Sequence, residues 1–211
     1  PEHPARLYVG DFNKNGKDVC IPVYYKSDGK AYPAYLLNDM LSQMPYLKKK
    51  FIRFDAYAGK GIEDVFTPDE LSRADMLRVE QSRTCVFVNN GSGAFTMTPL
   101  PVMAQLTPIF GIYVGDLNGD GRPDLFMGGN FHGLKPEVGR MDAGYGTTFL
   151  GGPSHDFNYV PTRSSGLFIQ GEVRDIKAIP FGTENDIIVA RNNEELQIFE
   201  QARTHPSAKG K

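Results

Sequence analysis

Two short apolar segments flank a polar loop near the middle of the chain, and this pattern predicts two strands joined by a turn. Residues 112–114 (Ile-Tyr-Val) precede the loop, and residues 125–127 (Leu-Phe-Met) follow it. Short apolar runs that are bounded by Asp, Asn and Gly are typical of strands. The loop between them, residues 116–124, is therefore expected to connect neighbouring strands rather than helices.

The spacing of oxygen-bearing side chains in this loop predicts a calcium site. Side chains suited to binding a hard cation stand at its first, third, fifth and ninth positions: Asp116, Asn118, Asp120 and Asp124. Calcium prefers about six to eight oxygen ligands, which a tightly curled loop can supply from alternate residues. Arg122 would add its backbone carbonyl, and Gly121 permits a left-handed turn. The alternative is a hairpin turn without metal, because Asp, Asn and Gly also favour turns.

The same pattern occurs near the start of the chain. Residues 9–17 align with residues 114–122, and such self-similarity indicates a repeat architecture. The corresponding ligands would be Asp11, Asn13, Asn15, Lys17 through its carbonyl, and Asp18. Because the first copy is shorter after Lys17, Asp18 falls one position early, and Asn15 carries no charge. Both a weaker cation site and a metal-free turn remain open for this loop.

Residues 27–83 interrupt the strand pattern and predict a helical insertion. Apolar residues recur there at helical spacing: Leu36, Leu37, Met40, Leu41 and Met44. Thr67 is a candidate N-cap, since Pro68 follows it at the first helical position. The lysine run at residues 48–50 is expected to be a solvated helix face, with a surface for an acidic partner as the alternative.

The remaining strands predict units of the size of β-propeller blades. One unit spans residues 5–100 around the insertion, a second spans residues 105–163, and an incomplete third spans residues 171–201, followed by a polar tail at 202–211. The second unit has strands at 110–114, 125–129, 147–150 and 157–161. The predicted fold class is all-β with a small helical insertion, as a partial β-propeller of about three blades.

A partial propeller predicts particular partners. Its open strand edges would favour pairing with the remaining blades of a larger parent protein or with another copy. We therefore expect the chain to be a C-terminal piece of such a protein.

Composition excludes several other partners. The chain has 23 Lys and Arg against 25 Asp and Glu, a net charge of −2, so nothing favours nucleic acid or an anionic membrane. No segment approaches the roughly 20 apolar residues of a membrane span, and the first residues lack a signal peptide's apolar core. The chain is thus either cytosolic or cut from a longer precursor, and the repeat pattern favours the cut.

The two cysteines, Cys20 and Cys85, are too few for a disulfide framework or a zinc site. Both lie in apolar strand sequence, which predicts buried free thiols. A single disulfide is the alternative if the two strands are adjacent, and it would require an oxidising compartment.

The loop motif D-x-N-x-D-G-x-x-D, together with residues of the form V-x-N-N-G-S-G-x-F-T earlier in the chain, resembles the FG-GAP/VCBS repeat family. The loop motif is at residues 116–124 and the hairpin motif is at residues 84–100. The family occurs in integrin α-chain propellers and in large secreted bacterial proteins like cartilage acidic protein. The resemblance covers residues 5–26, 84–163 and, more faintly, 171–201, and it leaves the helical insertion unexplained.

This resemblance implies a calcium-binding module rather than an enzyme. It implies that Asp116, Asn118, Asp120, Arg122 and Asp124 are calcium ligands. It also implies that the propeller recognises a protein or a glycan, and that the chain is secreted, periplasmic or on the cell surface.

The polar loop at residues 129–145 is the strongest candidate for a ligand surface. It carries a histidine, carboxylates and an arginine at His132, Glu137, Arg140 and Asp142. These groups could bind a ligand, or act as general acid, base and anchor in a hydrolase or lyase that acts on a glycan or an ester. Ordinary loop chemistry is a third interpretation, because no spacing here specifies a reaction.

Overall fold

The structure, a computed structural model, describes residues 3–136, 138–181 and 184–200. The chain divides into two compact units, Pro1–Ser82 and Arg83–Lys211. Among the described residues, no helix has the length and apolar character needed to cross a membrane.

The first unit is built on a four-stranded antiparallel sheet. Its strands are β1 (Arg6–Gly10), β2 (Val19–Tyr25), β3 (Ala31–Pro33) and β4 (Asp75–Arg78), in the order β3-β2-β1-β4. Strand β2 alternates as a half-buried strand should: Val19, Ile21 and Val23 are buried, and the residues between them are more exposed.

Short helices cover the buried face of this sheet. They are α1 (Leu37–Gln43), a 3₁₀ helix (Pro45–Lys49), α2 (Phe54–Tyr57), α3 (Ile62–Val65) and α4 (Pro68–Arg73). From α1 and its end, Leu37, Met40 and Met44 enter the core beside Ile21, as the helical spacing predicts. Thr67 caps α4 with Pro68 at its first position, which confirms the predicted start of that helix.

The described part of the second unit contains three sheets. A hairpin is formed by β5 (Cys85–Asn89) and β6 (Phe95–Pro99), and a 3₁₀ helix (Val102–Gln105) follows it. The central antiparallel sheet, in the order β10-β9-β8-β7, has strands β7 (Ile109–Gly115), β8 (Asp124–Gly129), β9 (Thr147–Gly151) and β10 (Phe157–Val160). After α5 (Thr162–Ser165), a third sheet contains β11 (Val173–Phe181), β12 (Glu184–Arg191) and β13 (Gln197–Phe199).

The central sheet is buried on both faces at its two inner strands, β8 and β9. Leu125, Met127 and Phe149 pack on one side with Leu100 and Ala104. On the other side, Phe126 packs with apolar residues that include members of β11 and β12: Ile169, Val173, Ile176, Ile187 and Val189. Strand β8 is consequently buried at every position, which explains its apolar run at residues 125–127.

The prediction of an all-β fold with a few short helices is confirmed. The four strands expected between residues 110 and 161 form one sheet, and three strands follow in the third sheet. Across the described part of the chain no closed barrel or propeller is formed, so the partial propeller stays a prediction. The predicted tail at 202–211 lies outside the described residues.

The prediction that residues 5–100 form one four-stranded unit is wrong. Strands β3 and β4, both within the supposed helical insertion at 27–83, complete the sheet of β1 and β2. The hairpin β5–β6 forms its own two-stranded sheet and belongs to the second unit. The physical reason is strand pairing. Strand β4 pairs antiparallel with the free edge of β1, from Arg6 opposite Arg78 to Val9 opposite Asp75.

Both cysteines are free thiols, but the prediction that both are buried is wrong. Cys20 is exposed on β2 and Cys85 is only partly buried on β5. In β2 the apolar positions that face the core are Val19 and Ile21, so alternation turns the Cys20 side chain to the opposite face. The predicted exposure of the lysine run at 48–50 is found, although Lys50 Nζ also donates to the Val65 carbonyl oxygen (3.1 Å).

Candidate functional site

The loop between β7 and β8 is organised by the carboxylate of Asp116. Its Oδ1 accepts hydrogen bonds from the backbone N–H of Gly119 (2.7 Å) and of Asp120 (3.1 Å), and its Oδ2 accepts one from Gly121 (2.7 Å). Gly119 and Gly121 both have φ near +80°, a conformation that residues with a Cβ rarely adopt. The two glycines therefore let the chain curl around a single side chain.

These hydrogen bonds also set the charge of Asp116. The backbone N–H of Gly121 is the largest cause of a lowered pKa for this carboxyl group, and the N–H groups of Gly119 and Asp120 lower it further. Hydrogen bonds to a carboxylate favour its ionised form. Asp116 is consequently an anion at neutral pH.

Two further side chains of the loop accept hydrogen bonds from the backbone N–H two residues further on. Asn118 Oδ1 accepts from the Asp120 N–H (3.0 Å), and Asp120 Oδ1 accepts from the Arg122 N–H (2.9 Å). The other Asp120 oxygen is 3.3 Å from the Arg122 guanidinium and 3.3 Å from Asn118 Nδ2. These bonds hold Asn118 and Asp120 within the same exposed loop.

Asp124 ties the loop to the sheet beneath it. Its side chain is 0% exposed, and its two oxygens accept from the backbone N–H of Leu117 (2.8 Å) and of Gly151 (2.8 Å). Gly151 is on β9, where a Cβ would overlap the Pro123 carbonyl. Asp124 thus joins the start of β8, the entry of the loop and the adjacent strand.

The loop between β1 and β2 repeats most of the hydrogen bonds that backbone N–H groups donate to side chains in the second loop. The bond from the Gly119 N–H to the Asp116 side chain has no counterpart, because the Lys14 N–H donates to the Asp11 backbone carbonyl. Asp11 accepts from the N–H groups of Asn15 (2.9 Å) and Gly16 (2.9 Å), as Asp116 does from Asp120 and Gly121. Asn13 and Asn15 then accept from positions two residues further on, at 3.3 and 2.9 Å. The sequence alignment of the two loops is therefore also an alignment of their backbone structure.

The two loops differ at the residue that closes them. Asp18 is exposed, whereas Asp124 is buried and fixes its loop to β9. In the first loop the inward anchor is Phe12, which is buried at the position that corresponds to Leu117. Because the first loop is one residue shorter after Lys17, its last carboxylate is exposed and does not anchor the loop as Asp124 does.

The donor set of the second loop fits a hard cation by residue type. A carboxylate has about four lone-pair positions, so Asp116 and Asp124 both keep acceptor capacity after the bonds described above. Within the part of the chain that the structure describes, however, no three His, Cys, Asp or Glu side chains are grouped to hold a metal ion. A cation here would have to draw on the Asn118 amide and the Arg122 carbonyl as well as on carboxylates.

The structure describes three of the four residues of the predicted ligand surface. His132 is half-buried, and its backbone N–H donates to Glu172 Oε1 (2.8 Å). Arg140 and Asp142 are exposed on the same loop, which the bridge between Phe131 and Met141 closes. Glu137 lies outside the described residues.

Glu172, which the sequence analysis does not identify, is hydrogen-bonded to this loop. It is buried, and it accepts from the His132 N–H and from Asn192 Nδ2 (2.8 Å), with Arg174 3.3 Å away. The His132 N–H is the largest cause of a lowered pKa for Glu172, followed by the Asn192 amide. The sequence feature that could have indicated this role is an acidic residue directly before Val173, the first residue of β11.

Asn130 is a second structural residue that sequence reasoning did not find. It is buried with φ of +75°. Its amide nitrogen donates to the carbonyl oxygens of Gly144 (2.7 Å) and Gly171 (2.9 Å), and its oxygen accepts from the Gly144 N–H and the Thr107 hydroxyl, both at 2.9 Å. The signal was an asparagine after two glycines at the end of a strand, since Asn tolerates a positive φ.

Residues 72–127 match the sequence family described as the FG-GAP-like repeat. The match runs from α4 through the hairpin to the middle of β8, so it contains Asp116, Asn118, Asp120 and Asp124. This segment, within a β-rich fold, is therefore similar to an FG-GAP-like repeat. No curated protein and no solved structure matches the chain.

Proposed function

We propose that this chain is a calcium-stabilised, propeller-type repeat module that serves as a structural or recognition domain of a larger protein. In this proposal Asp116, Asn118 and Asp120, the Arg122 carbonyl and Asp124 hold one calcium ion firmly. The loop with Asp11 holds a second ion more weakly. Its partners are the remaining blades of a parent protein, or another copy, together with a protein or glycan ligand, and its location is extracellular, periplasmic or at the cell surface.

The observation that carries this proposal is the shared geometry of the two loops. Asp11 and Asp116 accept the same pattern of backbone N–H groups in two places that each join adjacent antiparallel strands. This network fixes the Asp116 carboxylate and the Asn118 amide oxygen in place before any cation arrives, so little ordering of these groups remains to oppose binding. The bound ion would offset the repulsion between carboxylates and link the entry of β8 to the exit of β7.

The firm site predicts a calcium-dependent stability. A ligand that binds only the folded state stabilises it by about 2.7 kcal/mol at a hundredfold excess over Kd. For a chain of this length, that corresponds to a rise in Tm of about 5–10 °C. We expect this rise when thermal unfolding in a chelator is compared with unfolding in millimolar calcium.

Two alanine variants locate the effect. Asp120→Ala should abolish the calcium-dependent rise, because it removes an exposed loop oxygen. Asp142→Ala, which makes the same charge change at an exposed position outside the loop, should leave it intact. Equal melting temperatures of the parent protein in calcium and in chelator would refute the proposal, as would an Asp120→Ala protein that keeps the full rise.

A further inference from the structure

The second unit contains a cavity of about 550 Å³ beside the β7–β8 loop. One side is the face of the central sheet, and the other includes Ile187 on β12 and Phe199 on β13, which are paired across those strands. The volume falls in the usual range for small-ligand pockets, roughly 300–1,000 Å³. The cavity therefore has room for a compact organic molecule.

The sheet side of the cavity is one cross-strand row of side chains. Tyr113 pairs with Phe126, Phe126 with Thr148, and Thr148 with Val160. Directly paired residues of antiparallel strands point to the same face of a sheet. Tyr113, Thr148 and Val160 line the cavity, while Phe126 is fully buried in the apolar cluster of that face.

Thr148 is the unusual member of this row. It is only 4% exposed, and its hydroxyl makes no hydrogen bond within the described part of the protein. Buried polar groups nearly always have a partner, because removing them from water without one is unfavourable. A hydroxyl that lines a cavity and lacks a protein partner is available to a ligand in that cavity.

The charges around the cavity limit the ligand. Two carboxylates, Asp116 and Glu200, line it, and none of the lining residues that the structure describes is Lys, Arg or His. In the calcium-free chain, a phosphate or carboxylate ligand would meet repulsion and find no cationic partner among the described lining residues. The cavity is therefore unsuited to anions.

The other lining groups favour a neutral ligand with many hydroxyl groups. Hydroxyl and amide side chains are frequent (Tyr113, Ser164, Ser165, Asn118 and Asn185), and they alternate with apolar surface that includes Phe199. Such groups both donate and accept hydrogen bonds, which matches the hydroxyls of a sugar, while the apolar surface matches the C–H face of its ring. We propose that this cavity binds a neutral saccharide unit and that the Thr148 hydroxyl hydrogen-bonds to it.

This inference deepens the recognition role proposed above by naming a site and a ligand class, and it does not depend on calcium binding. The cavity borders the proposed calcium loop at Asp116, Asn118 and Gly119, but Asp120 does not line it. Saccharide binding is therefore measured on the parent chain and on Asp120→Ala, each in chelator. The calcium proposal can fail while this one holds, and the reverse is also true.

The test measures the affinity of the full chain for matched pairs of sugars by ligand-observed NMR titration. The pairs are glucose with glucuronate, galactose with galacturonate, and mannose with mannuronate, and butylammonium serves as a cationic probe. We expect at least one neutral sugar to bind and its uronate to bind about tenfold more weakly, since each tenfold step is about 1.4 kcal/mol of charge repulsion.

Thr148→Val keeps the shape of the side chain and removes the hydroxyl. It should therefore lower the affinity for the sugar about fivefold to tenfold. Thr147→Val is the matched control, because the neighbouring residue on β9 points to the opposite face and does not line the cavity. If Thr148→Val lowers stability too far, Ser164→Ala at an exposed lining position gives the same test.

Four outcomes would overturn the proposal. The first is the absence of binding for all neutral sugars, and the second is equal binding of a sugar and its uronate. The third is unchanged sugar affinity in Thr148→Val or, where that variant does not fold, in Ser164→Ala. The fourth is displacement of the bound sugar by butylammonium at a lower concentration than the same displacement by free sugar requires. The last outcome would show that the two carboxylates select a cation.

Discussion

Asn130 connects three separate segments of the second unit through one side chain. Its amide nitrogen donates to the carbonyl oxygens of Gly144 and Gly171, and its oxygen accepts from the Gly144 N–H and the Thr107 hydroxyl. No shorter polar residue could reach all of these groups from the same backbone position. Since the residue is also buried with a positive φ, its identity is constrained both by the backbone and by its partners.

We predict that Asn130→Ala destabilises the protein by about 2–4 kcal/mol, because it leaves buried carbonyl and N–H groups without partners and places a Cβ at positive φ. Asn130→Gly separates the two causes, since it relieves the backbone but not the lost bonds. The measurement is the free energy of unfolding in urea.

Asn193→Ala is the matched control for this prediction. Asn193 also has a positive φ (+56°), but it is exposed, and its side chain joins no other segment in the described part of the chain. Asn193→Ala should lower the free energy of unfolding by about 1 kcal/mol or less. Equal losses for Asn130→Ala and Asn193→Ala would show that the hydrogen bonds of Asn130 contribute little.

At single residues, local chemistry was predictable from the sequence and distant partners were not. The alternation of Asp, Asn and Gly in residues 116–124 predicts the turns that the structure contains, since those turns involve neighbours in the chain. The bond from Gly151 to Asp124 spans 27 residues, and that from Asn130 to Gly171 spans 41. No periodicity encodes such partners, so the sequence predicts Asp124 as a metal ligand but does not reveal that it also anchors the loop to β9.

Helix α4 is the element whose start the sequence specifies most clearly. The Thr67 hydroxyl accepts from the Glu70 N–H (3.3 Å), and the Glu70 carboxylate accepts from the Thr67 N–H (2.9 Å). This capping box satisfies backbone groups that the first turn of a helix leaves without partners. In a helix of only six residues, the cap is a large share of the local hydrogen bonding.

We predict that Thr67→Ala destabilises the first unit by about 1 kcal/mol, the usual cost of losing an N-cap side chain. Thr67→Ser should retain most of the stability, because serine caps as well. Ser72→Ala, in the same helix but with a hydroxyl that bonds only to the Asp69 carbonyl, should have a smaller effect. Urea unfolding followed by circular dichroism measures all three, and an unchanged midpoint for Thr67→Ala would contradict the prediction.

Strands with clear alternation were predictable, whereas the shortest ones were not. Strand β2 has apolar residues at every second position and was recognised, but β3 is three residues long and ends in proline. Strand β4 is exposed at all four positions, so it carries no buried face that a pattern could reveal. Its place is decided by pairing with β1, and the sequence alone therefore assigned the region to a helical insertion.

The whole molecule is organised by where its apolar clusters lie along the chain. One cluster draws its buried members from residues 12–66, all in the first unit. The other two draw theirs from residues 100–149 and 126–189, all in the second. The FG-GAP-like repeat, at residues 72–127, begins before the unit boundary and ends after it. The boundary of the sequence repeat and the boundary of the packed unit therefore differ.

This difference predicts how the chain can be divided. If packing defines the folding unit, a fragment of residues 83–211 should fold alone, because it keeps every member of the clusters around Phe126 and Phe149. A fragment of residues 72–127 should not fold, because Phe126 would lose Ile176 and Val189 and its face of β8 would be left exposed. Amide-resolved NMR measures both: we expect dispersed signals at the full-chain positions for core residues of the longer fragment, and collapsed signals for the shorter. The opposite result would mean that the repeat, rather than the apolar cluster, is the smallest stable part of this protein.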